Sequence, residues 1–249
     1  LPRQSRRKSE FGYMHVIVRG VARQTIFEDV SDYKYYLIKL KKYCMETDVK
    51  VCAYCLMNNH VHLLLHGDST SISQLMKKLG ISYSYYFNKK YNRVGHLFQD
   101  RFKSEPVEDN VYLLTVFRYI LQNPQKAGIC DTTKYRWSSF MFYDSKSDYM
   151  DLTLIKALLG SRSVYENFVK AGNDDQCLDF DTSKHDDKWA IEEIGRRLGI
   201  SSGFVLLSYD KEKRNMAIRE LMKCGLSKRQ IERLCGISRG VINKVELSA

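Results

Sequence analysis

No segment of the chain approaches the roughly 18 consecutive apolar residues that a membrane-spanning helix needs, so no such span is expected. The basic opening LPRQSRRKSE has no apolar run behind it, and a secretory leader is not expected either. A GxxxxGK[ST] loop is missing, which argues against P-loop nucleotide hydrolysis. The seven cysteines (Cys44, Cys52, Cys55, Cys130, Cys177, Cys224, Cys235) are odd in number and scattered, and suit a reduced, cytoplasmic protein better than a disulfide framework. Acid is in deficit: 40 Lys and Arg face 29 Asp and Glu, for a net charge of +11. That balance favours an anionic partner, nucleic acid before a membrane surface. With 44% hydrophobic residues over 249 positions, the chain can build a core and is long enough for two domains.

Periodicity sets out the first part. YMHVIVR (13–19) alternates as a strand, with Met14, Val16 and Val18 on one side and His15, Ile17 and Arg19 on the other. Residues 31–47 have helical spacing at Tyr33, Tyr36, Leu37, Leu40 and Cys44. VCAYCLM predicts a strand, Asn58-Asn59 a two-residue hairpin turn, and HVHLLLH its partner strand. A helix over 72–91 is expected to start from Ser71 or Ser73, and a strand to run from Leu97 to Ser104. A further helix runs from about Asp109 to Gln122 and is expected to stop at Asn123-Pro124. The order β-α-β-β-α-β-α describes an α+β domain, one antiparallel sheet with packed helices, assigned to residues 1–143. Residues 144–187 are read as a connector. It has a short helix at LTLIKALLG and a linker, 173–187, that holds six acids. Residues 188–249 form a small all-α domain.

That last segment contains an internal echo. Gly199-Ile200-Ser201-Ser202-Gly203-Phe204-Val205 matches Gly236-Ile237-Ser238-Arg239-Gly240-Val241-Ile242, each after an amphipathic helix (IEEIGRRL, KRQIERLC). Helix, glycine-bearing turn and second helix form the helix-turn-helix pattern, with a core at Ile231, Cys235, Ile237, Ile242 and Val245. Glu232 departs from the small residue usual where the two helices cross.

The chemistry concentrates in NNHVHLLLHG (58–67). Residues i and i+2 of a strand share a face, so His60 and His62 stand side by side while Val61, Leu63 and Leu65 pack inward. A two-residue turn pairs Met57 with His60 and Cys55 with His62, and sends Cys52, Tyr54 and Leu56 to the core face. Two adjacent imidazoles suit a divalent metal with open positions, or else two hydrogen-bonded histidines; spacing alone leaves both readings open. His66 lies farther along the same face. In a regular strand Cys52 and Cys55 point to opposite faces, which argues against a shared zinc ion. In VFRYILQNPQKAG, Tyr119 and Asn123 are four apart and share a helix face. By default one is a core tyrosine and the other a helix stop.

Taken together, YMHVIVRG, LMNNHVHLLL, GHLFQDRFKS, RYILQNPQKAG and the closing WSSF make residues 11–143 resemble the HUH-type tyrosine transposases, the IS200/IS605-like group. The resemblance is nearest to their REP-associated relatives. It implies a ferredoxin-like sheet carrying the histidines and a helix delivering the tyrosine. By that resemblance Tyr119 is the nucleophile, His60 and His62 bind Mg²⁺ or Mn²⁺, and Asn123 supplies an amide oxygen. Many relatives have Gln as that amide, and a Pro-Val step where this chain has Pro124-Gln125. Residues 189–245, including KEKRNMAIREL, resemble the C-terminal DNA-binding domain of the bacterial replication initiator.

The expected activity is metal-dependent cleavage and rejoining of single-stranded DNA at hairpin-forming repeats, through a 5′-phosphotyrosine. The alternatives are an idle DNA-binding regulator of the same fold and an RNA-binding module. His15, Arg19, Arg101, Lys103 and Arg118 are expected to grip DNA around the site, with PRQSRR reaching a groove or strand. Ser238, Arg239, Asn243 and Lys244 are expected to contact duplex DNA from the recognition helix. A homodimer is compatible with all of this.

Overall fold

The computed structural model describes residues 9–173, 175, 177–179 and 187–247. The chain divides after Leu178 into two compact units. The first begins with β1 (Tyr13–Arg19), α1 (Val30–Thr47), β2 (Lys50–Leu56), β3 (His60–His66) and α2 (Ser69–Lys90). It continues through β4 (Lys103–Val107), α3 (Asn110–Lys126), α4 (Thr153–Leu159) and α5 (Arg162–Lys170). The strands form one antiparallel sheet in the order β2-β3-β1-β4.

Both faces of the sheet are covered. Met14, Val16 and Val18 of β1 and Val61, Leu63 and Leu65 of β3 pack with Tyr36 and Leu40 of α1 and Leu75, Leu79 and Tyr83 of α2. On the other face Tyr13, Leu64 and Cys55 meet Val116, Phe117 and Ile120 of α3 and Ile155 and Tyr165 of α4 and α5. Residues 153–170, read from composition as connector, therefore belong to the core of this unit.

Four expectations are corrected. α2 begins at Ser69, because the carboxylate of Asp68 accepts from the N–H groups of Thr70 (2.9 Å) and Ser71 (3.0 Å); neither Ser71 nor Ser73 is the cap. The fourth strand is Lys103–Val107, not 97–104, and it includes Pro106. Proline is tolerated there because β4 is an edge strand, so its missing N–H breaks no interior ladder. The register of β2 shifts between Val51 and Ala53, so Cys52 turns to the α3 face beside Cys55 rather than to the opposite core. Finally, α3 runs through Pro124 to Lys126. Proline withholds the N–H that Ile120 C=O would accept, and the side-chain amide of Asn123 donates to Tyr119 O (2.9 Å) and reaches Ile120 O (3.5 Å) instead.

The start of α1 carries a polar cluster around a buried carboxylate. Asp32 is fully buried and accepts from Lys90 Nζ (2.7 Å), Tyr91 OH (2.7 Å) and the N–H of Glu28 (2.8 Å). Burial alone would raise its pKa, but Lys90, Tyr91 and the backbone donors reverse this and hold the carboxyl below its ordinary 3.8. A carboxylate with a lowered folded-state pKa contributes stability that is fully present above 3.8 and is lost as pH falls below it. Asp32→Ala leaves the Lys90 ammonium without this buried partner and is expected to cost about 3 kcal/mol or more, read as a lower urea midpoint at pH 7. The difference from wild type should shrink on acidification below pH 4; an unchanged midpoint would contradict the assignment.

The second unit contains α6 (Asp187–Leu198), a 3-10 stretch at Gly203–Ser208, α7 (Lys211–Lys223), α8 (Lys228–Cys235) and α9 (Arg239–Leu247). Ala190, Ile194, Ile218, Leu221, Ile231, Cys235, Ile237, Ile242 and Val245 share its core. The two echoed glycines do the same job: Gly199 (φ 65°) and Gly236 (φ 69°) end α6 and α8 in the left-handed conformation. After Gly236 the chain enters a full helix, whereas after Gly199 it forms only the 3-10 stretch. Gly203 explains the difference: a Cβ there would sit 2.5 Å from Leu234 O, so the first copy is pressed against the end of α8. Glu232, the departure noted above, pairs with Arg239 (Nε 3.1 Å) across the α8–α9 turn.

Candidate active site on the histidine face

The hairpin sets the register of the site. Met57 N–H donates to His60 O (2.8 Å) and Cys55 pairs with His62, as a two-residue Asn58-Asn59 turn requires. On the other side of β3, Arg19 pairs with His60, Ile17 with His62 and His15 with Leu64. Directly opposed residues share a face, so His15, Arg19, His60 and His62 stand together.

Each site histidine on β3 has a different anchor. His60, half-buried, places Nδ1 2.6 Å from Asn59 Oδ1. Since Asn59 donates its amide nitrogen to Arg23 O (3.3 Å), its oxygen faces the imidazole and can only accept. His60 Nδ1 therefore carries the proton, and the lone pair lies at Nε2. His62 is fully buried and its Nδ1 lies 3.1 Å from His15 Nε2, also fully buried. Burial, then the charges of His60, His15 and Arg19, hold the His62 pKa well below 6.5. Burial alone takes His15 down to about 3. Both are neutral imidazoles at neutral pH, the form that ligates metal. The ring centroids of His60 and His62 are 5.0 Å apart.

α3 crosses this face and lays Tyr119 over it. The phenol ring is edge-on to His62 (centroids 5.8 Å) and to His15 (6.1 Å), with only 8% of the residue exposed. Asn123, one turn on, is nearly buried and directs its Nδ2 to the helix backbone, which leaves Oδ1 as its remaining polar atom. The neighbouring amide, Gln122, is committed elsewhere. It donates to Val169 O (2.6 Å) and Ala171 O (3.0 Å) and accepts from Asn173 (2.7 Å). Lys126 was not foreseen: its ammonium lies 4.8 Å from the Tyr119 ring centroid. The 119/123/126 spacing of one helical face could have found it.

The expected DNA-gripping residues separate. Arg19 flanks His62, and Lys103, exposed on β4, pairs with Ile17 and so shares the face. His15 does not contact solvent and cannot touch DNA; it backs His62. Arg101 is exposed in the loop before β4, not on a strand with Lys103. Arg118 turns to Asp175, which it holds bidentately (2.7 and 2.9 Å), with Phe168 beneath the guanidinium (4.7 Å). His66 is peripheral, stacked on Tyr13 (4.3 Å). PRQSRR lies outside the described residues. In the second unit Ser238, Arg239, Asn243 and Lys244 are all exposed at the start or along α9, and Lys228 donates to Asn243 Oδ1 (3.1 Å).

The residues fit a divalent metal on one observation above all. The Nε2 of His62 is buried and has no hydrogen-bond partner among the described residues. Among the described residues no group of three or more His, Cys, Asp or Glu could hold an ion. Protein donors here would be two imidazoles and the Asn123 oxygen, with positions left for substrate oxygens. Cys52 and Cys55 are buried free thiols on this face. Burial raises both pKa values well above the ordinary 9, which disfavours the thiolate that zinc requires.

Residues 9–123 match the family model described as "Transposase IS200 like". Among solved structures, a REP-associated tyrosine transposase bound to a REP hairpin matches at 14% identity and a TM-score of 0.51. That match covers 72% of this chain and 95% of the other. A protein described as a transposase from Deinococcus radiodurans matches at 18% identity, over 45% of this chain and 89% of that one, with a TM-score of only 0.33. No curated protein matches. Among the described residues no helix is long and apolar enough to cross a membrane. The sheet order, the paired histidines on β3 and the tyrosine-bearing α3 all fall within or at the edge of the matched segment, and residues 9–123 are similar to the IS200-like transposases.

Proposed function

We propose that the chain is a metal-dependent single-strand DNA endonuclease and strand transferase, with Tyr119 as nucleophile and the second unit as a duplex-binding module. The observation that carries this reading is the Tyr119 ring lying edge-on to His62, whose buried Nε2 lacks a partner. His60, His62 and the Asn123 oxygen would hold Mg²⁺ or Mn²⁺. Two nitrogen donors favour Mn²⁺, since Mg²⁺ prefers an all-oxygen shell. When bound, the ion supplies charge neutralisation at a non-bridging phosphate oxygen.

The chain's own residues do the rest. Tyr119 Oη gives up its proton to solvent and attacks phosphorus in line; the P–O3′ bond breaks, the 3′ oxygen takes up a proton from solvent, and the 5′ phosphate stays esterified to the tyrosine. Packing of α3 on the sheet pre-orients the phenol, and Lys126 places a positive charge over the face of its ring. The phosphotyrosyl ester retains the bond energy, so a free 3′-OH can reverse the step without nucleotide hydrolysis. Arg19 and Lys103 face the same side and suit the DNA backbone. The hairpin held by the structurally similar transposase supports folded single strands as substrate.

The test is incubation of end-labelled single-stranded hairpin DNA with the protein and Mn²⁺, followed by denaturing electrophoresis. A denaturant-stable protein–DNA adduct and a free 3′-OH product are expected. Binding without any adduct would overturn the nuclease reading and leave a DNA-binding regulator. For the second unit, removing residues 179–249 should leave hairpin cleavage in place while weakening duplex binding and flattening its salt dependence. Undiminished duplex affinity would contradict the role given to α8 and α9.

A further inference from the structure

His60 and His62 are neighbours on one strand, yet their second nitrogens are held in different ways. Asn59 Oδ1 can only accept, so it settles the His60 tautomer. The partner of His62 is another imidazole, which can donate or accept. At an N···N distance of 3.1 Å, His15 Nε2 and His62 Nδ1 share a single proton. If His15 owns it, the neutral His62 ring must carry its own proton on Nε2, where the described residues offer no acceptor and no metal could then bind. If His62 owns it on Nδ1, the Nε2 lone pair faces the site and the unpartnered N–H moves to His15 Nδ1. Both of these nitrogens, His62 Nε2 and His15 Nδ1, are buried without a hydrogen-bond partner among the described residues, so the two arrangements each leave one orphan N–H. Protein contacts alone leave them closely balanced, and a ligand at His62 Nε2 selects the second.

We propose that His15 is a positioning residue for the site: its Nε2 accepts the His62 Nδ1 proton and thereby fixes His62 with its Nε2 lone pair directed at the metal position. The inference rests on reading His60 and His62 as metal ligands. His15 reaches His62 diagonally across the β1–β3 ladder, being two residues from Ile17, the direct partner of His62. It is fully buried, and Tyr119 closes over it, so it touches neither DNA nor ion and acts through His62 alone. Ligating histidines generally hand their other N–H to a carboxylate, carbonyl or water. Here a neutral imidazole fills that place, and it adds no charge beneath a phosphate-binding surface.

The experiment is Mn²⁺ titration calorimetry on the full chain without DNA, together with ¹⁵N imidazole NMR of the Mg²⁺-saturated protein. His15→Leu, which cannot accept, should weaken Mn²⁺ binding by about 10- to 100-fold, the usual effect of losing a ligand's outer partner. His15→Gln, whose amide oxygen can accept the same proton, should recover most of that loss. The wild-type spectrum should show His62 protonated at Nδ1. Mn²⁺ binding by His15→Leu within twofold of wild type overturns the inference, as does an Nε2-protonated His62 in the Mg²⁺-saturated protein. Should His15→Leu fail to fold, the His15→Gln titration and the wild-type spectrum decide. Wild-type binding that His60→Ala leaves untouched would sink the metal reading and this inference together. Intact binding in His15→Leu alone sinks only the inference.

Discussion

Tyr119→Phe is expected to eliminate the covalent protein–DNA adduct and to lower strand cleavage by about 10⁴-fold or more, the scale of losing a nucleophile that acts within an intact site. The substitution removes one hydroxyl and keeps the ring, so the edge contacts with His62 and His15 and the packing under α3 persist. Stability should shift by less than about 1 kcal/mol, and hairpin binding should change little. That combination separates lost chemistry from lost structure. The control is Tyr13→Phe. Tyr13 lies on the same face of the sheet, but it is stacked on His66 and its pKa is pushed up to about 12, chiefly by burial. Its loss should leave the adduct in place. Cleavage by Tyr119→Phe at wild-type rates would mean that the phosphodiester is attacked by water or another residue.

The second large effect is on the metal. His60→Ala removes a half-buried side chain at the mouth of the hairpin, so it leaves little cavity and should not impair folding. It does remove one of the two nitrogen donors proposed for the ion. Losing an outer-shell partner already costs 10- to 100-fold in affinity, so removal of a direct ligand should cost at least about 100-fold. Mn²⁺ titration reads this directly, and the DNA-cleavage rate at sub-millimolar Mn²⁺ should fall in parallel, with partial recovery as the ion is raised. His62→Ala should lose affinity as well, but it also empties a fully buried position and leaves His15 Nε2 without its partner. Its melting temperature should drop, making His60 the cleaner probe. Cleavage that survives both His60→Ala and excess chelator would remove the metal from the account.

The two-residue periodicity of strands is what made the site legible in sequence. His60 and His62 on one side, Val61, Leu63 and Leu65 on the other, follow from parity, and the Asn58-Asn59 turn correctly places Cys55 opposite His62. Helical spacing likewise put Tyr119 and Asn123 on one face of α3. What parity could not see were contacts made across long stretches of chain. Arg118 reads as a basic residue beside Tyr119, and only the fold brings Asp175 to it, 57 residues away. His15 shares the parity of Arg19 and so reads as a DNA contact. The antiparallel register and the closing of α3 over the sheet bury it against His62 instead.

Local exceptions to regular geometry account for the other misses. One shifted residue in β2 places Cys52 and Cys55 on the same face despite their odd spacing. Pro124 reads as a stop, but Asn123 supplies the donor that proline withholds and the helix continues. Pro106 reads against a strand until the sheet order shows that its strand is an edge. The repeat in the second unit was visible as letters. That its first copy forms a 3-10 stretch depends on Gly203 lying against Leu234, which no local pattern encodes.

The central claim is that α3 delivers a tyrosine to a phosphodiester held over the histidine face. It is tested most directly by trapping the adduct on single-stranded hairpin DNA, digesting it with nuclease and protease, and sequencing the nucleotide-bearing peptide by mass spectrometry. The account predicts one modified peptide, from the α3 segment Asn110–Lys126, with the phosphate on Tyr119 rather than Tyr112. A nucleotide on any of the other tyrosines, or on a serine, would contradict it.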